Sequence, residues 1–193
     1  ITINRPRYRN AFTPTTTATY SMVGTSAAGC LGTNTAVQSI TVNALPTVTA
    51  TVTNTFICLN DPITLNSSGA NTYTWTSSAG GSYTNGISFS PTVTANYSVV
   101  GTSTAGCTNT NVAAVTVTVN PLPTLTAASS NTFICLNSTV SLSSSGANTY
   151  TWSSSAGGSY TNGVSFSPTI TASYSVVGTS TANCPSSNTA VVT

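Results

Sequence analysis

The sequence predicts an all-β chain of tandem two-sheet sandwiches, with about seven short strands in each 77-residue repeat. Three observations predict it. Residues 53–116 return almost letter for letter at residues 130–193, and of the 63 pairs aligned from Asn54/Asn131 onward only 15 differ. Runs of Val, Ile and Thr alternate with Gly, Pro, Asn and Ser turn chemistry, as short strands require. No segment carries the 3.6-residue apolar period of a helix. A period this long exceeds a solenoid turn and suffices for a small domain with its own core.

The two copies, compared with each other, give an expected core. Ile63/Val140, Ile87/Val164 and Val93/Ile170 exchange one β-branched residue for another, as packed positions do. Trp75/Trp152, Phe89/Phe166 and Tyr97/Tyr174 do not change. Asp61/Ser138, Asn66/Ser143, Asn109/Ser186 and Thr110/Ser187 exchange polar for polar and are expected to face solvent.

Taken in order, residues 1–11 do not match the repeat at the expected offset, whereas Phe12, Pro14 and Tyr20 align with Phe89, Pro91 and Tyr97. Residues 1–45 are therefore an arm followed by the C-terminal half of a first repeat. Half a sandwich exposes its inner face, so either a longer polypeptide or a neighbouring molecule is expected to complete it. The longer polypeptide is the first expectation. Arg5, Arg7 and Arg9 alternate, which on a strand places them on one face, as an anionic contact or as a solvated edge that resists pairing.

The second repeat spans residues 46–122 and the third 123–193. In the second, residues 48–52, 63–65, 73–75, 87–89, 95–100 and 115–119 read as strands. Asn85-Gly86 is the strongest hairpin signal, and Pro91 ends a strand because it cannot donate to a ladder. The joins Asn43-Ala-Leu-Pro46 and Asn120-Pro-Leu-Pro123 are short and stiff, which predicts repeats strung end to end.

Composition excludes most chemistry. Charged residues make up 2% of the chain, with no His and one acidic side chain, Asp61. General acid–base catalysis needs a group titrating near neutral pH, paired-carboxylate hydrolysis needs two acids, and serine catalysis needs a base beside the hydroxyl. Calcium needs several carboxylates, and no cysteines stand at zinc spacing. No enzyme, metal or cofactor is expected. No apolar run approaches membrane-spanning length. Asn66, Asn96 and Asn137 open Asn-x-Ser/Thr triplets, but none recurs at its repeat-equivalent position.

Cysteines at 30, 107 and 184 form one set at the 77-residue offset, and those at 58 and 135 the other. Each complete repeat holds one of each, 49 residues apart, so the expected disulfides are Cys58–Cys107 and Cys135–Cys184. Cys30 would pair outside the chain. Buried free thiols are the alternative. Paired cysteines point to an oxidising, extracytoplasmic location.

The succession Ile-Cys-Leu-Asn, Ala-Asn-Thr-Tyr-Thr-Trp, Ile-Ser-Phe-Ser-Pro, Asn-Tyr-Ser-Val-Val-Gly-Thr, Gly-Cys and Val-Thr-Val resembles the Ig-like and PKD-like repeats of Bacteroidota surface proteins. That resemblance implies long extracellular arrays, often ahead of a type IX sorting domain, with the same two cysteine pairs. The expected function is a non-catalytic segment of an extracellular filament, stalk or giant surface protein, whose partners are copies of itself or further repeats. The alternative is an adhesin whose loops bind surface glycans, with Tyr83 and Tyr160 in the Gly-rich loop as candidate contacts or as caps of the sandwich end. Neither nucleic acid nor a membrane span is expected. Ice binding by Thr rows is disfavoured because twisted sheets make poor flat lattices.

Overall fold

The structure is a computed structural model that describes residues 13–186 and 189–193. The described residues form strands and turns, with no helix. Residues 13–45 contribute β1 (Ala18–Met22) and β2 (Ala36–Ile40), one antiparallel hairpin. The apolar residues Met22, Val23 and Val37 in or beside it stay exposed, as half a sandwich requires.

Residues 46–120 contribute β3 (Thr49–Val52), β4 (Phe56–Cys58), β5 (Ile63–Ser68), β6 (Thr72–Ser77), β7 (Ser82–Tyr83), β8 (Ser88–Phe89), β9 (Ala95–Thr102) and β10 (Ala113–Asn120). One sheet has the order β3-β5-β8 and the other β4-β10-β9-β6-β7. Every pairing is antiparallel except β4 with β10, which is parallel. The period-2 pattern fixes which face is buried. Ile63 and Leu65 of β5 meet Trp75 of β6, Tyr97 and Val99 of β9 and Val117 of β10 in one cluster between the sheets.

Residues 123–193 repeat the plan with β11 (Thr126–Ser129), β12 (Val140–Ser145), β13 (Thr149–Ser154), β14 (Ser159–Tyr160), β15 (Ser165–Phe166), β16 (Tyr174–Thr179) and β17 (Ala190–Val192). The sheets are β11-β12-β15 and β14-β13-β16-β17. A second cluster of Leu125, Leu142, Trp152, Tyr174 and Val176 lies between them. No strand here corresponds to β4, although residues 131–137 are identical to residues 54–60.

Part of the expected core is corrected. Ile63 and Val140 are buried, but Ile87, Val164, Val93 and Ile170 are exposed. On a pleated surface one β-branched residue replaces another at little cost whether or not it is packed. The exchange of Asn109 for Ser186 is not free variation at a solvated site either. Asn109 Oδ1 accepts the Gly101 N–H at 2.8 Å, and Ser186 Oγ accepts the equivalent Gly178 N–H at 3.3 Å. Two side chains thus perform one task, holding the same point near the C-terminal end of β9 or β16. Gly69 and Gly146 adopt φ of 97° and 101°, and a Cβ at either would collide with the carbonyl oxygen of Thr47 or Thr124.

Candidate functional site

The junction between repeats is where the structure departs furthest from expectation. β4 lies beside the last residues of β10, with Cys58 opposite Asn120. Asn120 Nδ2 donates to Ile57 O at 3.1 Å, and Leu59 N donates to Asn120 O at 2.9 Å. Asp61, the one acidic residue, closes this corner. Its Oδ2 accepts the Cys58 N–H at 3.0 Å, across Asn60 at φ 74°. Cys58 therefore sits at the distal end of the second repeat, where the chain leaves through residues 121–123.

Cys184 occupies the turn after β16, held by a bond from its own N–H to Ser180 Oγ at 3.2 Å. That turn belongs to the proximal end of the third repeat, beside the same join. The structure bonds Cys58 to Cys184, with Cα atoms 5.5 Å apart and 126 residues between them in sequence. The expected pairs Cys58–Cys107 and Cys135–Cys184 are not formed, and Cys30, Cys107 and Cys135 are free. The reason is the length of β10. Cys107 precedes the start of this eight-residue strand, and Cys58 lies against its end. Eight residues at about 3.3 Å each separate the two by roughly 25 Å, whereas a disulfide needs Cα atoms within about 7 Å. The bond ties one repeat to the next rather than closing a repeat on itself.

Tyr83 and Tyr160 are placed as caps of the aromatic layer. The Tyr83 ring is 4.4 Å from Phe89 and 5.2 Å from Tyr97, and its hydroxyl donates to Gly80 O at 3.3 Å. Tyr160 repeats this with Phe166 at 4.5 Å and Tyr174 at 5.2 Å. Burial, then the charge and hydrogen bond of the facing Tyr83 or Tyr160, raises the Tyr97 and Tyr174 hydroxyls above the usual tyrosine range. Arg5, Arg7 and Arg9 lie outside the described residues.

Sequence reasoning missed three asparagines that hold the fold together. Asn85 Oδ1 accepts from the buried Trp75 Nε1 at 3.1 Å and from Ser67 Oγ at 2.8 Å. Asn162 accepts from Trp152 Nε1 at 3.1 Å in the next copy. Asn111 clasps Val48, accepting from its N–H at 3.2 Å and donating to its carbonyl at 2.8 Å. The readable signal is their invariance between the copies, Asn85 with Asn162 and Asn111 with Asn188, where other polar positions exchange.

At the distal end of the third repeat, residues 131–136 edge an open groove of about 290 Å³. Ile134, Leu136, Ile170 and Ala172 line it, with Leu142 and Tyr174 behind them. Among the described residues no group of three or more His, Cys, Asp or Glu side chains comes together. No helix among them is long and apolar enough to cross a membrane.

No known family profile and no curated protein matches the chain. Among solved structures, a 1.5-MDa bacterial ice-binding adhesin, studied for host cell surface retention, aligns at 15% identity and a TM-score of 0.44, over 78% of this chain and 64% of that one. A Ca2+-stabilised adhesin with which an Antarctic bacterium binds ice aligns at 17% identity and a TM-score of 0.45, over 92% of this chain and 56% of that one. The chain thus spans less than two thirds of either relative's length.

Proposed function

We propose that this chain is a non-catalytic structural segment of an extracellular bacterial filament, stalk or giant surface protein. The observation that carries the reading is the Cys58–Cys184 bond, which fastens the distal end of one repeat to the proximal end of the next. A stiff Pro-bearing join and a covalent clamp across it make a tension-bearing connection, and the clamp persists only in an oxidising compartment. Low charge lets like surfaces lie together without repulsion. A loop-borne glycan site is the weaker reading, because Tyr83 and Tyr160 spend their rings on the core. The Bacteroidota resemblance agrees with the array, and type IX export remains part of the proposal.

Antibody labelling of intact source cells, followed by electron microscopy of material sheared from them, tests this. Surface threads with an axial step of about 3–4 nm per repeat are expected from an eight-residue strand plus the three-residue join at about 3.3 Å per residue. Label confined to the cell interior, or isolated compact particles, removes the reading.

A further inference from the structure

We infer that the Cys58–Cys184 bond is a load bypass: it carries axial tension past residues 59–183 and puts the extensible length of the two repeats under redox control. The bond closes a covalent ring whose two ends are 126 residues apart in sequence. Tension applied at one point before Cys58 and another after Cys184 follows the shortest covalent route. That route enters along residues 46–58, crosses the two sulfurs and leaves through the residues after Cys184. Residues 59–183 form the other arm of the ring and cannot be drawn out while the bond is intact. That arm holds β5 to β16, both buried tryptophans and the Pro-bearing join at residues 121–123.

The loaded segment has little length to give. Asn111 holds Val48 beside the start of β10, and Asn120 holds Ile57 beside its end. Residues 48–57 therefore run the length of β10 in its own direction. β3 and β4 are already extended, at about 3.3 Å per residue against a maximum of about 3.6 Å. Peeling them from the sandwich lengthens the route only slightly. They are also held against sliding. β4 is parallel to the end of β10, where Thr118 N donates to Thr55 O at 2.7 Å and Leu59 N to Asn120 O at 2.9 Å. A pull along the strands loads these bonds together rather than one at a time. Pairing inside each repeat would act differently. Cys58–Cys107 and Cys135–Cys184 rings would leave residues 108–134, the join included, in the path of the load.

Reduction opens the ring. A dithiol reductant gives two electrons and two protons to the sulfurs and ends as a cyclic disulfide, leaving Cys58 and Cys184 as thiols. The 126 peptide steps then enter the load path, and at about 3.3–3.6 Å each they add roughly 42–45 nm of contour length. Cys184 is 0% exposed and Cys58 half-buried, so an attacking thiolate has poor access to the bond while the junction is closed.

This rests on the load-bearing reading proposed for the thread, and its test is separate from that reading. The full chain carries enzymatic ligation tags at both ends, so that no cysteine serves for attachment. It is stretched by optical tweezers with and without dithiothreitol. The oxidised chain is expected to reach a contour length shorter than the reduced one by roughly 42–45 nm. A variant with Cys30→Ser, Cys107→Ser and Cys135→Ser should keep the whole difference, because all three thiols are free. Adding Cys58→Ser to it should abolish the difference. Equal lengths with and without reductant overturn the inference. So does a total gain of roughly 32–35 nm that the triple variant loses, as two rings of 49 residues would give. Surface threads on cells in either of those cases would leave the filament reading standing, and a confirmed bypass without surface threads would remove only that reading.

Discussion

The buried Trp75 sets the terms at the residue scale. Its indole is 0% exposed, so its N–H must be satisfied inside the protein, and Asn85 Oδ1 does this from the turn after β7. Asn85→Ala leaves that donor buried without a partner and is expected to cost about 1–3 kcal/mol. Urea unfolding followed by tryptophan fluorescence checks it, and an unchanged midpoint would show that the bond is replaceable by water. The tyrosine layer makes a second prediction. Because the fold raises the Tyr97 and Tyr174 hydroxyls, chiefly by burying them, the folded state holds those protons more tightly than the unfolded chain. The resulting stability is complete below the ordinary tyrosine value of about 10, and is lost as pH climbs through the raised values. Stability should therefore fall above about pH 10, and Tyr97→Phe together with Tyr174→Phe should flatten that fall. An equally steep alkaline loss in the double variant would mean that other groups govern it.

One pair of segments is an internal experiment on strand formation at the scale of elements. Residues 54–60 and 131–137 have the same sequence, yet only the former contains a strand. Propensity within the segments is equal, so the difference lies in what adjoins them: the strand alongside, and Asp61, which accepts the Cys58 N–H and is replaced by Ser138 in the later copy. The end of β10 supplies donors and acceptors to β4, and nothing described does so for residues 133–135. Amide exchange should report this directly. The Leu59 N–H, bonded to Asn120 O at 2.9 Å, should exchange at least tenfold more slowly than that of Leu136 in the isolated chain. Equal rates would mean that β4 gains no protection from its parallel partner. The remaining strands agree with expectation wherever alternation is strong, as in β9 and β10. β5 and β6 extend beyond the expected ends and β3 and β8 fall one residue short, because pairing rather than pattern sets the limit.

The Cys58–Cys184 bond turns two sandwiches into one mechanical unit at the scale of the whole molecule. It closes a loop of 126 residues, which the chain-entropy model values at roughly 5 kcal/mol. Reduction is therefore expected to lower the stability of residues 46–193 by on the order of 2–5 kcal/mol and to separate the unfolding of the two repeats. Denaturant titration with and without reductant measures this, and a non-reducing map that yields a Cys58–Cys107 peptide would refute the arrangement.

The sequence alone determined the repeat, the all-β class, the inward aromatic set and most turns, because these depend on patterns within a few residues of one another. Trp75, Tyr97 and Phe89 were legible as core, and Asn85-Gly86 as a turn, though not as the partner of the indole. The junction was not legible. Near-identical copies present several equivalent cysteines, and the repeat pattern favours the two that share a repeat, whereas the extended β10 holds Cys58 and Cys107 at opposite ends of a sandwich. Only the folded arrangement decides which sulfurs meet, and whether Phe-Ile-Cys becomes a strand or an open edge. Both outcomes depend on what lies beside a segment in space, and two identical segments carry no local record of that.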